Sequence, residues 1–203
     1  MCNACHCLIS FQIPTLFDGE MVFEEARAAC TYLVSKYAIS PTQKNLYPLQ
    51  DVTTKAKIDQ KLYFDAGTFY ATLQADYVSF QSLKDFIVPI VILKSAVVHN
   101  GSRGPSQELS DKYSEILAWI TDMVKSGYVA GTAEMTLADV SLLTTFACLK
   151  ALGGPDSTRS YPFIEAWARR CRQQIPHYEE VCGHALEALG TRYKQSKAAN
   201  NRP

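Results

Sequence analysis

The side chains best suited to chemistry crowd the first residues, where Cys2, Cys5, His6 and Cys7 stand together. A C-x-x-C pair with an adjoining histidine is zinc-ligand chemistry, because thiolates and imidazole are the donors that cation prefers. A structural site wants a second ligand pair in a folded knuckle, and none follows. Cys5 or Cys7 as a substitute nucleophile is the other chemical reading; a ragged or alternatively spliced start is the expectation retained. His177 and His184 lie seven apart on a helical pattern, hence on one face. Two turns is too wide a gap for shared ligation, so they are expected to be solvated or half-buried. No metal site is expected.

Thr136 and Asp139 form the Thr-x-x-Asp signature of a capping box, so Asp139 is expected to fix a helix start. Trp167 is expected in the core. Tyr70 and Tyr77 sit at helical spacing, where aromatics are commonly packing residues.

The chain that must position these groups has 203 residues, 47% of them apolar, which is ample for a core. Its 20 basic and 20 acidic residues cancel, with a pI near 6.9. That balance excludes nucleic acid and anionic membrane as main partners, since both select a surplus of Lys and Arg. Seven cysteines are an odd number, and Cys30, Cys148, Cys171 and Cys182 fall in helix-like segments. Reduced thiols in a cytoplasmic protein are expected rather than a disulfide framework. The opening MCNACHCLISFQIP lacks the pattern of a leader. The longest apolar run, 86–93, is too short to span a bilayer and contains Pro89.

Two short β-prone runs over 13–23 flank Asp18-Gly19, a dipeptide that accepts the positive φ of a tight hairpin. Residues 24–36 then read as a helix with Ala28, Ala29, Tyr32 and Leu33 on one face. Glu24 and Glu25 are expected in its first turn, where the macrodipole favours anions. A turn-rich linker over 39–52 holds Pro41, Asn45 and Pro48. Beyond it the pattern is helical. Ile58, Leu62, Ala66, Phe69 and Leu73 make one stripe, and Leu109, Tyr113, Ile116, Leu117, Ile120 and Val124 make a second. The segment opened by Thr136 is apolar nearly all round and should be buried. Gly153, Gly154 and Pro155 stop it. Pro162 suits a first helical turn ahead of Phe163, Ile164, Trp167 and Cys171. A last helix is expected from about Tyr178 to Tyr193, then a disordered polar tail. An exposed loop is expected over 96–105.

Four stretches in order carry a resemblance: IPTLFDG (13–19); EARAACTYL (25–33); KNLYP (44–48) with IDQKLYFDAGTFY (58–70); and YVAGTAEMTLADVSLL (128–143) with YPFIEAWARR (161–170). They resemble the cytosolic glutathione transferases, most closely the arthropod delta and epsilon classes. The resemblance implies a mostly α fold: a partial thioredoxin-like domain, hairpin plus helix, over 1–38, a linker over 39–52 and an all-α domain over 53–193. Residues 194–203 form the tail. Only a dozen residues precede Ile13. The family's opening strand, helix and strand, with the hydroxyl that serves catalysis, are therefore expected to be absent. No catalytic residue is assigned.

The family's chemistry makes a thiolate by aiming a donor at the sulfur of glutathione, then offers it to an electrophile in an apolar pocket. Glutathione is thus a co-substrate, and no cofactor is implied. The resemblance assigns Ile13 and Pro14 to the cysteinyl part, through a proline that is cis in the family, although most X-Pro bonds are trans. Glu25, Ala26 and Arg27 fall where the glutamyl end is held, the helix N-terminus taking its carboxylate. Ala26 replaces a serine, and loss of that hydroxyl costs roughly 1.5–3 kcal/mol. Tyr70 and Tyr77 border the electrophile pocket. The expected function is conjugation of glutathione to small apolar electrophiles by a homodimer. The alternative is a non-catalytic binding or interaction module on the same fold, or an incomplete product of a transferase gene.

Overall fold

The computed structural model describes residues 14–79, 107–154 and 161–200, the side chains of 76–79, 196, 197, 199 and 200 excepted. The cysteine cluster of the first residues, Ile13, the 86–93 run, the 96–105 loop and Pro155 lie outside the described residues.

A hairpin comes first. β1 (Leu16–Asp18) and β2 (Met21–Phe23) pair antiparallel, with Leu16 opposite Phe23 and Asp18 opposite Met21. The loop is therefore Gly19-Glu20, one residue later than the sequence suggests, and Gly19 alone takes a positive φ, +62°. Asp18 stays in the ladder because its carboxylate is held from the next helix. It accepts from the Tyr32 hydroxyl at 2.8 Å, Lys36 Nζ at 2.7 Å and the Tyr37 hydroxyl at 2.6 Å. The Phe23 ring stacks on Tyr32 with centroids 4.1 Å apart. These contacts place α1 (Ala26–Tyr37) against the hairpin.

On α1, Ala29 is buried and Tyr32 half-buried, as expected, and Val34 packs against the core, while Lys36 reaches Asp18 from an exposed position. Ala28 and Leu33, expected on the same face as Ala29 and Tyr32, are exposed. The helix also starts later than expected. Glu25 is its N-cap at φ +67°, and no acidic residue occupies the first turn.

The linker, expected to be rich in turns, contains a short helix, α2 (Pro41–Asn45). Ser40 Oγ accepts from the Gln43 backbone N–H at 3.2 Å, and Gln43 Oε1 accepts from the Ser40 N–H at 3.0 Å, a reciprocal cap. Pro41 fits its first turn. The linker is then fastened near its middle to two helices: Tyr47 donates to Asp59 at 2.6 Å, and the Leu46 carbonyl accepts from the Leu137 N–H at 2.9 Å.

The bundle follows the expected stripes. α3 (Val52–Phe64), a π-helical turn (Asp65–Phe69) and α4 (Tyr70–Ser79) form one nearly continuous rod. It buries Ile58, Leu62, Phe69 and Leu73. α5 (Gln107–Val124) buries Tyr113, Ile116, Leu117, Ile120 and Val124. α6 (Leu137–Ala151) is the hub, touching α1, α3, α4, α7 (Pro162–Gln174) and α8 (His184–Asn200). Gly190 of α8 lies so close that a Cβ there would meet the Ala151 carbonyl at 3.0 Å. Among the described residues the fold is mostly α with one two-stranded sheet, as expected.

Three local expectations are corrected. Phe163 is half-exposed, because α7 presents Ile164, Trp167, Ala168 and Cys171 to the core instead. His177 is not on the last helix. It takes φ +56° before a second π-helical turn (Glu179–Gly183), and its ring faces Glu180 at 3.0 Å. The last helix runs on to Asn200, past Lys194, where the polar composition had suggested disorder.

Asp139 is fully buried and answered by four donors. They are the Thr136 N–H (2.9 Å), the Thr136 hydroxyl (2.8 Å), the Val129 N–H (2.9 Å) and Trp167 Nε1 (2.9 Å). Replacing it leaves several buried donors without partners, each costing about 1–3 kcal/mol. Asp139→Ala is therefore expected to lose about 3 kcal/mol or more of stability in urea unfolding, with Thr136→Ala losing less.

Asp18 is the hairpin's acid-sensitive point. Hydrogen bonds from Lys36, Tyr37 and Tyr32 lower its pKa to about 2. A depressed carboxylate stabilises the fold above its unfolded value near 4 and loses that contribution as pH falls towards 2. Carboxyl NMR should give a midpoint near pH 2 for Asp18. Loosening of the hairpin against α1 should begin below about pH 4 and be missing in Asp18→Asn.

Candidate functional site

The entry to α1 brings a strained backbone, a helix N-terminus and an ion pair to a buried carboxylate into one place. Glu25 holds φ +67° and ψ 100°, a conformation that non-glycine residues rarely adopt. Such strain persists where the surroundings over-determine the backbone. The determinant here follows two residues later. Arg27 Nε and Nη2 donate to Asp65 Oδ2 at 3.1 and 2.6 Å. The Ser141 hydroxyl donates to the same oxygen. Asp65 has no exposed surface, and its Oδ1 has no partner among the described residues. The π-helical turn that begins at Asp65 interrupts the regular ladder between α3 and α4, as such turns often do at functional positions.

Tyr70 completes the cluster. The Arg27 guanidinium lies over its ring, 5.1 Å from the centroid, within cation–π range. Tyr70 is 38% exposed. Tyr77 follows two turns along α4, its side chain outside the described residues.

The other expected site residues are distributed as follows. Pro14 is exposed, two residues ahead of β1. Glu25 is exposed and Ala26 half-buried at the start of α1, where no side chain caps the helix. Arg27 is turned to Asp65. Asp65 and Ser141 were missed from the sequence, although Asp65 gave a signal: it sits three after Leu62 and four before Phe69, on the apolar stripe. A charge there must be paired.

The half-buried Cys148 and the buried Cys171 are poor nucleophiles. Burial raises the pKa of Cys148, with Cys182 and Asp65 adding to the effect. Burial, helped by Asp139 and opposed by Arg170, pushes Cys171 up to about 12. Both stay protonated at neutral pH, and a protonated thiol does not attack. Among the described residues no group of three or more His, Cys, Asp or Glu side chains could hold a metal ion. No described helix is long and apolar enough to cross a membrane.

No family model matches the chain. A glutathione S-transferase of Anopheles gambiae is 30% identical over 189 residues, covering 92% of this chain and 73% of that protein. The chain belongs to the glutathione S-transferase family. A glutathione S-transferase of Drosophila melanogaster is 30% identical over 169 residues, 83% of this chain and 65% of that protein. Among solved structures, a delta-class glutathione transferase of Nilaparvata lugens superposes with a TM-score of 0.72 at 25% identity, covering 96% of this chain and 78% of its own. The chain thus spans roughly two thirds to three quarters of the length of the transferases it matches in sequence.

Breaking the ion pair at this site leaves a carboxylate buried without a counter-charge, which typically costs about 3–5 kcal/mol. Arg27→Ala is expected to lose that much in denaturant unfolding. Ser141→Ala should lose about 1–2 kcal/mol, and the double variant less than the sum, because both partners serve one oxygen.

Proposed function

We propose that this chain binds glutathione across the hairpin and the N-terminus of α1 and conjugates it to small apolar electrophiles beside Tyr70 and Tyr77. The observation that carries the proposal is Glu25, strained at the mouth of an α1 whose next turn is clamped to the bundle by Arg27 and Asp65. Strained backbone anchored in this way is a feature of ligand clamps. The uncapped N–H groups of α1 suit the tripeptide's glutamyl carboxylate, and Glu25 its ammonium. Ile13 and Pro14 supply main-chain pairing for the cysteinyl part in this reading. With the Arg27 guanidinium committed to Asp65, its part is to hold the helix rather than to meet the ligand.

A second reading is favoured by one residue. Ala26 has no hydroxyl to offer the ligand's charged end, which suits a binding or interaction module that needs no turnover. Assembly as a homodimer in the cytoplasm belongs with either reading. Tyr63 on α3, 77% exposed, is an apolar ring of the kind that interfaces cover.

The chain should be retained on immobilised glutathione and turn over an activated chloronitrobenzene. Ala26→Ser should tighten glutathione binding about tenfold by calorimetry, the value of one hydrogen bond to a charged group. Retention without turnover moves the chain to the second reading. A chain that ignores glutathione at millimolar concentration sinks the first reading and any glutathione-binding form of the second.

A further inference from the structure

Tyr70 is assigned above only as a wall of the electrophile pocket, yet the structure gives it a second contact. Its ring is the face over which Arg27 lies, at 5.1 Å, while that same guanidinium makes both of its hydrogen bonds to the single oxygen Oδ2 of Asp65. The Arg27 side chain is 25% exposed and Asp65 is not exposed at all, so water reaches this pair from the arginine side. Two donors on one acceptor oxygen fix the guanidinium less firmly than a fork spread over both oxygens. The aromatic face 5.1 Å away is a further restraint on it.

We propose that Tyr70 is a positioning residue: its π face holds Arg27 on Asp65, and through Arg27 it fixes the first turn of α1 and the strained Glu25 before it. The electrophile side and the glutathione side of the site then share one side chain. An aromatic electrophile resting on the exposed part of Tyr70 would further exclude water from the ion pair, so each ligand would tighten the other. This inference rests on the proposed glutathione site for its functional consequence, but its structural core does not.

The test compares Tyr70→Phe, which keeps the π face and drops the hydroxyl, with Tyr70→Leu, which keeps apolar bulk and drops the π face. Two quantities are read on the full chain. One is solvent exchange of the Arg27 Nε–H by NMR, assigned with Arg27→Lys; the other is glutathione affinity by calorimetry. Tyr70→Leu should speed that exchange and weaken glutathione binding, each about fivefold, at an unchanged far-ultraviolet spectrum. Tyr70→Phe should match the parent within about twofold on the same reasoning. Arg27 exchange in Tyr70→Leu equal to the parent overturns the proposal. So does equal loosening in the Phe and Leu variants, which would assign the effect to the hydroxyl. If the parent binds no glutathione while the exchange responds as stated, the positioning role stands and the glutathione reading falls.

Discussion

A carboxylate cut off from water has to be met by donors, and at Asp65 those donors come from parts of the chain that are distant in sequence. Arg27 lies 38 residues before it and Ser141 76 residues after it. The hairpin–helix unit, the α3–α4 rod and the central helix α6 therefore meet at one oxygen atom. The cost of leaving that atom unanswered exceeds that of losing a typical surface ion pair. Any arrangement of α1 that fails to deliver Arg27 is penalised by that cost, which makes the ion pair a register mark for the first turn of the helix. The strained Glu25 is intelligible on those terms: the chain coming from β2 has to reach a helix whose position is set elsewhere.

Asp139 obeys the same rule one layer away. Its four donors bind the start of α6, the Val129 loop and Trp167 of α7. The two acids divide the labour along one helix. Asp139 fixes where α6 begins and how α7 packs on it. Asp65 is reached by Ser141, in the first turn and a half of that same helix. A shift of α6 along its axis would disturb both, so the placement of the candidate site is coupled to the core rather than confined to surface loops.

Most of the bundle was legible in the sequence because its signal is local and repeated. The stripes of α3 and α5, the all-apolar α6 and the Thr136–Asp139 box each declare themselves within a few turns. The hairpin was legible to within one residue; the error arose because the sequence does not show that Asp18 is pulled into the ladder by three donors on α1. The face of α1 was misread for a similar reason, since Ala28 and Leu33 suit a buried stripe but the hairpin engages Tyr32 and Lys36. At the site, Glu25, Ala26, Arg27 and Tyr70 were picked out, but not the pairing that organises them. Ser141 is an ordinary residue on an apolar helix, and nothing local marks it. Asp65 was marked by its place on an apolar stripe. A buried charge announces that a partner exists without saying where in the chain it lies.

The geometry of the pair also says what it is for. An ion pair arranged for strength alone would spread the arginine fork over both carboxylate oxygens. Here three donors crowd Oδ2, and Oδ1 is left without a partner among the described residues. Well-packed apolar residues in place of such a buried pair commonly match or exceed its stability. What an apolar replacement cannot do is fix orientation, because hydrophobic packing is non-directional. The asymmetry of the Asp65 cluster is thus the mark of a contact kept for placement. It holds the mouth of α1, with the strained Glu25 and the Tyr70 ring, in one geometry.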